Sequence, residues 1–214
     1  GHAIHDTIRG VRKNVLANTT AAEEDIASIT AFGSDGFTLG SNAHLNNNNS
    51  PTVAWCWKAE TAFSNDASST SIGSVDSAGT VNDTAGFSIV SWTGTGANAT
   101  VKHGLSTAPS WILVKNIGDG GENWVSFHSS LGPTLNQKFN NTEANQDTTG
   151  SWNDTAPTTS VFTVGSFTNV NKSGGPMIAY CWAEKQGYSK FGSYTGNGNA
   201  DGTFVYTGFK PAMV

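Results

Sequence analysis

The chain has 214 residues, a net charge of −5 and 13% charged residues, about half the usual ~25%. Its Lys and Arg are scattered, with one basic cluster at Arg9, Arg12 and Lys13, which argues against nucleic acid as a partner because that needs a basic stripe with aromatics inside it. No apolar run approaches the ~20 residues that span a bilayer, and Gly1-His2-Ala3-Ile4-His5 has neither the basic nor the apolar region of a signal peptide. Seven Trp and eleven Phe supply core material. Gly, Asn, Ser and Thr leave a polar, mostly uncharged surface, the profile of an extracellular or virion β-protein rather than a cytosolic enzyme.

In chain order, residues 1–58 read as the back part of a repeated unit. His5 to Trp57 matches His128 to Trp182, with an offset of 123 early (128 − 5) and 125 later (162 − 37). Phe37-Thr38-Leu39-Gly40-Ser41 pairs with Phe162-Thr163-Val164-Gly165-Ser166. Ala54-Trp55-Cys56-Trp57 pairs with Ala179-Tyr180-Cys181-Trp182. Both copies of that aromatic stretch are expected as buried strands, with Cys56 and Cys181 as packing thiols. Arg9 to Ile29 has the best helical pattern, but its partner Lys138 to Asp147 is Asn-rich, so at most a short helix is expected in each. Residues 59–85 show no helical or strand period and read as a polar linker.

Residues 86–184 read as a complete unit of strands. Those expected are Phe87 to Trp92, Ala99 to His103, Trp111 to Lys115, Trp124 to His128, Ser160 to Val164 and Met177 to Trp182. Gly118-Asp119-Gly120-Gly121 marks a hairpin, because Asp-Gly tolerates the positive φ of a type I′ turn. In Trp124 to His128, Val125 and Phe127 face one side and Trp124, Ser126 and His128 the other. Residues 185–214 then restart the pattern. Gly187-Tyr188-Ser189-Lys190-Phe191-Gly192-Ser193-Tyr194-Thr195-Gly196-Asn197-Gly198 resembles Gly86-Phe87-Ser88-Ile89-Val90-Ser91-Trp92-Thr93-Gly94-Thr95-Gly96. Units that begin and stop part-way suggest a segment of a longer tandem array. The expected fold is all-β, with tandem antiparallel β-sandwich repeats of jelly-roll type.

Three groups of residues carry the chain together with a known family: His5-Asp6-Thr7-Ile8-Arg9-Gly10, Ser34-Asp35-Gly36-Phe37-Thr38-Leu39-Gly40, and Val53-Ala54-Trp55-Cys56-Trp57-Lys58-Ala59. With Gly104 to Asn116, Ile178 to Glu184 and Gly187 to Gly198, they resemble an uncharacterised repeat domain of structural and tail-fibre proteins of marine tailed bacteriophages, including those of cyanobacteria and pelagic bacteria. The resemblance covers almost the whole chain apart from the linker. It implies a lectin-like, concanavalin-type β-sandwich in a virion fibre or appendage that meets the host surface. It brings no catalytic residues.

The candidate chemistry is sparse. His2, His5 and His128 are the histidines of interest for metal, but each repeat supplies one such residue and a surface or structural role is expected. Asp25, Asp35, Asp76, Asp83, Asp119 and Asp154 are dispersed and follow no calcium-loop pattern. Glu122, Glu143, Glu184 and Asp154 form no carboxylate pair shared by the repeats, as glycoside hydrolysis needs, and there is no Gly-x-Ser-x-Gly elbow. A non-enzyme without cofactor is expected. Trp152-Asn153-Asp154, in a loop between Gly150 and Pro157, offers an aromatic face and polar groups for a sugar and is the candidate glycan-binding site, the other reading being that Trp152 packs back as an anchor of the loop. The expected function is a virion structural and adhesion module that contacts host-surface polysaccharide. Other virion proteins would be partners, and the chain would be a homo-oligomer, by analogy with fibres a trimer. A glycan-processing enzyme on the same fold and a purely architectural spacer are the alternatives.

Overall fold

The computed structural model describes residues 2–214. In chain order its elements are β1 (Ala3–Ile4), β2 (Lys13–Leu16), β3 (Glu24–Asp25), β4 (Ile29–Phe32), β5 (Phe37–Leu39), β6 (Thr61–Asn65), α1 (Ala67–Thr70), β7 (Ser77–Asn82), β8 (Phe87–Thr93), β9 (Ala99–Lys102), β10 (Trp111–Asn116), β11 (Val125–His128), β12 (Leu135–Lys138), β13 (Gln146–Asp147), α2 (Thr149–Trp152), β14 (Val161–Val164), α3 (Thr168–Asn171) and β15 (Pro176–Trp182). The protein is mostly β. Its main sheet has eight antiparallel strands in the order β13-β12-β11-β10-β15-β8-β7-β6.

β15 sits inside this sheet, paired on one side with β10 and on the other with β8. Its side chains alternate between two cores, as the pleat requires. Met177, Ala179 and Cys181 face one core together with Val90, Trp92, Ile112, Val114, Val125 and Phe127. That face is covered by the β9–β14 pair, α2 and α3, which contribute Val101, Phe162, Trp152 and Val170. Ile178 and Tyr180 face the other core with Ile89, Leu113 and Trp124. The three-stranded sheet β1-β2-β3 covers this side, inserting Val15, with Ile4 and Ile8 packed alongside. A sheet buried on both faces has few positions left for polar residues. Each fully buried Met or Ile side chain on β15 contributes on the order of 1.5–3 kcal/mol.

The sequence repeat has a structural counterpart. In β1-β2-β3 the partners are Ala3↔Leu16, Ile4↔Val15, Asn14↔Glu24 and Lys13↔Asp25. In β13-β12-β11 they are Val125↔Lys138, Ser126↔Gln137, Asn136↔Gln146 and Leu135↔Asp147. Every partner is displaced by 122 residues (125 − 3, 138 − 16, 147 − 25), one fewer than the 123 read from His5 and His128, so the structural counterpart of His128 is Asp6. The turn repeats as well: Gly10 N donates to Asp6 O and Gly132 N to His128 O, both at 3.1 Å. Asp6 Oδ1 accepts from Ile8 N as His128 Nδ1 accepts from Ser130 N.

The six strands expected in 86–184 are present, each with one end shifted by one residue. Three expectations need correction, and the allowance of at most a short helix in two segments is met by none. Residues 59–85 are not a linker: they hold β6, α1 and β7, the edge of the main sheet. Their backbone hydrogen bonds and one packed ring replace a hydrophobic pattern. Phe63 lies so close over β7 that a Cβ on Gly79 would come within 2.9 Å of its ring. Residues 9–29 and 138–147 form no helix. Lys13 and Asp25 are cross-strand partners 3.5 Å apart, so these charges support a sheet rather than a helical face. The β10–β11 hairpin exists, but its positive φ is at Gly121, not at Asp119 or Gly120. Finally, Val53–Trp57 is not a buried strand. It is irregular, with Val53 80% and Trp55 71% exposed. Unlike β15, it has no strand on either side, and strand-forming residues without a partner leave their backbone groups to water.

Candidate functional site

The residues expected to hold a sugar do not form a platform. Trp152 ends α2 and is 1% exposed, edge-to-face with Phe127 at 5.9 Å. A ring buried in the core cannot stack on a sugar, so the glycan site at Trp152 is corrected to a core anchor. The reason is α2 itself, which lies against the sheet face that carries Phe127. Asn153 caps α2 in the left-handed region and accepts from Asn98 Nδ2 at 2.7 Å. Asp154, also left-handed, is exposed.

The other candidates are engaged locally. Glu143 pairs with Lys138 and accepts from Asn141. Glu184 accepts from Lys190 and from the Phe191 backbone N–H. Asp83 accepts twice from Ser106, and those bonds hold its carboxyl below the usual range. Both ring nitrogens of His5 are buried without a partner, and burial lowers its pKa. Among the described residues, no three His, Cys, Asp or Glu gather as a metal site would need. The cysteines have separated: Cys181 is buried, its thiol pushed up to about 12 by burial, while Cys56 is exposed.

The densest polar cluster is one the sequence did not announce. Asp6 Oδ2 accepts from Tyr180 Oη at 2.5 Å and from Arg9 Nε at 2.6 Å. Arg9 also donates to the carbonyls of Ile4 and Lys13, to Glu23 and to Tyr180 Oη. The Arg9 and Asp6 side chains are 3% and 2% exposed. Burial opposes the charge on Arg9, but Tyr180, Asp6 and Glu23 outweigh it and raise its pKa. Burial and the Asp6 carboxylate raise the Tyr180 pKa well above its ordinary value. Nε, Nη1 and Nη2 of the guanidinium all have partners, which is what a buried charge requires. The cluster ties the β1-β2-β3 layer to the central strand. Its chemistry is docking: neither the phenol nor the carboxylate is open to solvent. Asp6-x-x-Arg9 is visible in sequence, but Tyr180 lies 174 residues away and only the fold joins them.

Two further buried titratable groups follow the same pattern. His103 is fully buried, and burial pulls it down to about 4 against its bond to the Thr158 carbonyl. Lys115 donates to the carbonyls of Thr20 and Glu122, and burial pulls it down to about 8. Lys115 therefore also holds the N-terminal layer to the main sheet.

The exposed chemistry is aromatic. It borders a row of directly opposed rings, half-buried Trp111 on β10 and Trp182 on β15 and buried Phe87 on β8, with Trp111 stacked on Trp182 at 4.2 Å. Trp57, Phe139 and Phe191 extend the row from outside the sheet. Trp55, Tyr188, Tyr194, Phe204 and Tyr206 are exposed beyond it. So much exposed aromatic surface marks an interaction region. A shallow depression nearby is lined by His2, Asn18, Phe139, Asn140, Asn141 and Thr142.

Fold and site together define a mostly β protein with a buried polar dock and an exposed aromatic margin. The chain belongs to the family described as a domain of unknown function, DUF7483, whose model matches residues 1–214. No curated protein and no solved structure matches it.

Proposed function

We propose that the chain is a non-enzymatic structural module of a phage fibre or appendage, built from tandem sandwich-like units of concanavalin or jelly-roll type. The observation that carries the reading is the duplication: β1-β2-β3 and β13-β12-β11 share one pairing pattern at a constant displacement. What the chain repeats is a packing unit rather than a constellation of reactive groups. The low charge, the aromatic margin and the resemblance of the His5–Gly10 and Val53–Ala59 segments to tail-fibre repeats support the same reading. Other virion proteins are its neighbours, and assembly into a homo-oligomer follows from the fibre role. Antibodies against the purified chain test it. Labelling of an appendage on intact particles is expected, and a signal confined to non-particle fractions contradicts it.

Contact with host-surface polysaccharide is the second part of the proposal, now displaced from Trp152. The depression around Phe139 offers a half-exposed ring beside exposed Asn18 and Thr142, with Asn140 and Asn141 held in place by bonds to Trp124 N, Asn123 and Glu143, the pairing of apolar face and hydrogen-bonding groups that sugars take. Weak sites of this kind gain strength by multivalency. Phe139→Ala should abolish retention of the protein on host polysaccharide while its circular dichroism is unchanged. Unchanged retention would leave the architectural role alone.

A further inference from the structure

Residues 40–57 fold locally like residues 165–182, yet they lack what covers the latter. Asn46 N donates to Asn42 O at 3.0 Å, and Asn171 N to Phe167 O at 2.8 Å, a displacement of 125 (171 − 46). Asn46 Nδ2 donates to Gly40 O as Asn171 Nδ2 donates to Gly165 O. Ser50 N donates to Asn47 O as Gly175 N donates to Lys172 O. There the likeness stops. Asn171 is fully buried because its amide also bonds Thr95 N, Thr95 Oγ1 and Ala97 O, in the segment that follows β8. Asn46 is exposed and has none of these partners. Likewise β15 is flanked by β8, while residues 53–57 stand alone.

The sequence that matches β8 and its following loop is also present: residues 193–198 are exposed, while the residues before them bond locally, Ser189 N to Lys185 O and Phe191 N to Glu184 Oε1, and would exchange those bonds for a strand partner. Gly187–Gly198 repeats Gly86–Gly96 with a displacement of 101, becoming 102 after one insertion (187 − 86, 198 − 96). Gly86 and Gly187 have φ of 69° and 76°, and Gly96 and Gly198 of 71° and 68°, so the backbone bends match. Gly94 must be glycine because a Cβ there would sit 2.2 Å from Lys172 O. Its counterpart Gly196 (94 + 102) has nothing within 4 Å. A tight slot is repeated in sequence without the backbone that would fill it. In a single molecule, no hydrogen bond joins residues 188–198 to residues 40–57 among the described residues.

The geometry points to a second copy of this chain as the missing partner: residues 188–198 of one copy add a strand to residues 53–57 of the other, with Asn46 holding the loop at 196–199. The register follows from the central sheet. Trp182↔Phe87 and Cys181↔Ser88 become Trp57↔Tyr188 and Cys56↔Ser189 (182 − 125, 87 + 101). This is β-strand addition, in which backbone hydrogen bonds supply affinity and side-chain pockets supply specificity. The contact is head-to-tail, so successive copies add into a filament or close into a ring. It rests on the repeat and holds whether or not the protein belongs to a virion.

Ser189→Cys tests the register on the full chain. Under mild oxidation, Cys56 of one copy and the new thiol of another should link, giving a ladder at two, three and more chain masses on a non-reducing gel. Adding Cys56→Ser should remove the ladder. A product that stays at one chain mass, whether unlinked or internally linked, overturns the assignment to a second copy. Gly196→Val is an independent arm: its side chain meets open space in one molecule, so the circular dichroism and melting should be unchanged. Sedimentation should show self-association weakened at least about tenfold, and an unchanged sedimentation profile overturns the proposal.

Discussion

The two copies of one aromatic segment occupy opposite environments. Ile178–Trp182 is a central strand whose residues up to Cys181 are nearly all removed from water, while Val53–Trp57 lies outside the sheet with Trp55 71% exposed. Composition does not separate them: both carry alanine, cysteine and tryptophan in the same places. What separates them is neighbours. β15 has β8 and β10 on either side and an apolar layer above and below, and residues 53–57 have a single ring contact region at Phe87 and Trp182. Burial here is a property of the assembly in which a segment is placed, not of the segment.

The comparison breaks most severely where the first copy is docked on the second. Arg9→Met removes the guanidinium and leaves the Asp6 carboxylate buried beside Tyr180, which should cost on the order of 3–5 kcal/mol in urea unfolding. Asp6→Asn combined with Arg9→Met should recover part of that loss, since no buried charge then remains.

The pH response should distinguish the covered half as well. His103 is held down to about 4 by burial, against about 6.5 in an unfolded chain. The unfolded state therefore binds the proton first. Its contribution to stability is complete above about pH 6.5 and is lost as pH falls toward about 4, by roughly 3 kcal/mol at most. Urea midpoints between pH 7 and 4 check this, and His103→Gln should flatten the decline.

A smaller effect separates the two asparagines. Asn171→Ala removes four buried hydrogen bonds and should cost about 2–3 kcal/mol. Asn46→Ala should stay within about 0.5 kcal/mol in dilute solution. Thermal melts of both variants give the ratio, and equal losses would show that residue 46 is already covered.

Much of the fold was legible from residues. The alternation in Trp124–His128, the apolar run at Trp111–Lys115 and the repeat itself each point to strands, and the strands are there. The edge strand β6 and its neighbour β7 escaped because Thr61–Asn65 and Ser77–Asn82 supply little more apolar pattern than Phe63 and Val81. Trp152 was misplaced for a different reason. Its Gly and Asn flanks read as a loop, but four residues of it close into a helix that turns the indole inward. The docking cluster was invisible because its partners lie 171 and 174 residues apart. Cys56 was misread because a repeated segment does not show whether the strands that flank one copy, as β8 and β10 flank β15, are set beside the other.

Thiol reactivity against protein concentration tests the central contrast most directly. In dilute native protein one thiol, Cys56, should react with an aromatic disulfide reagent within seconds to minutes. Cys181 should react only after unfolding, since burial pushes its thiol up to about 12. As concentration rises, Cys56 should become protected while Cys181 is unchanged. Two fast thiols in dilute protein, or a Cys56 rate that does not vary with concentration, would contradict the account.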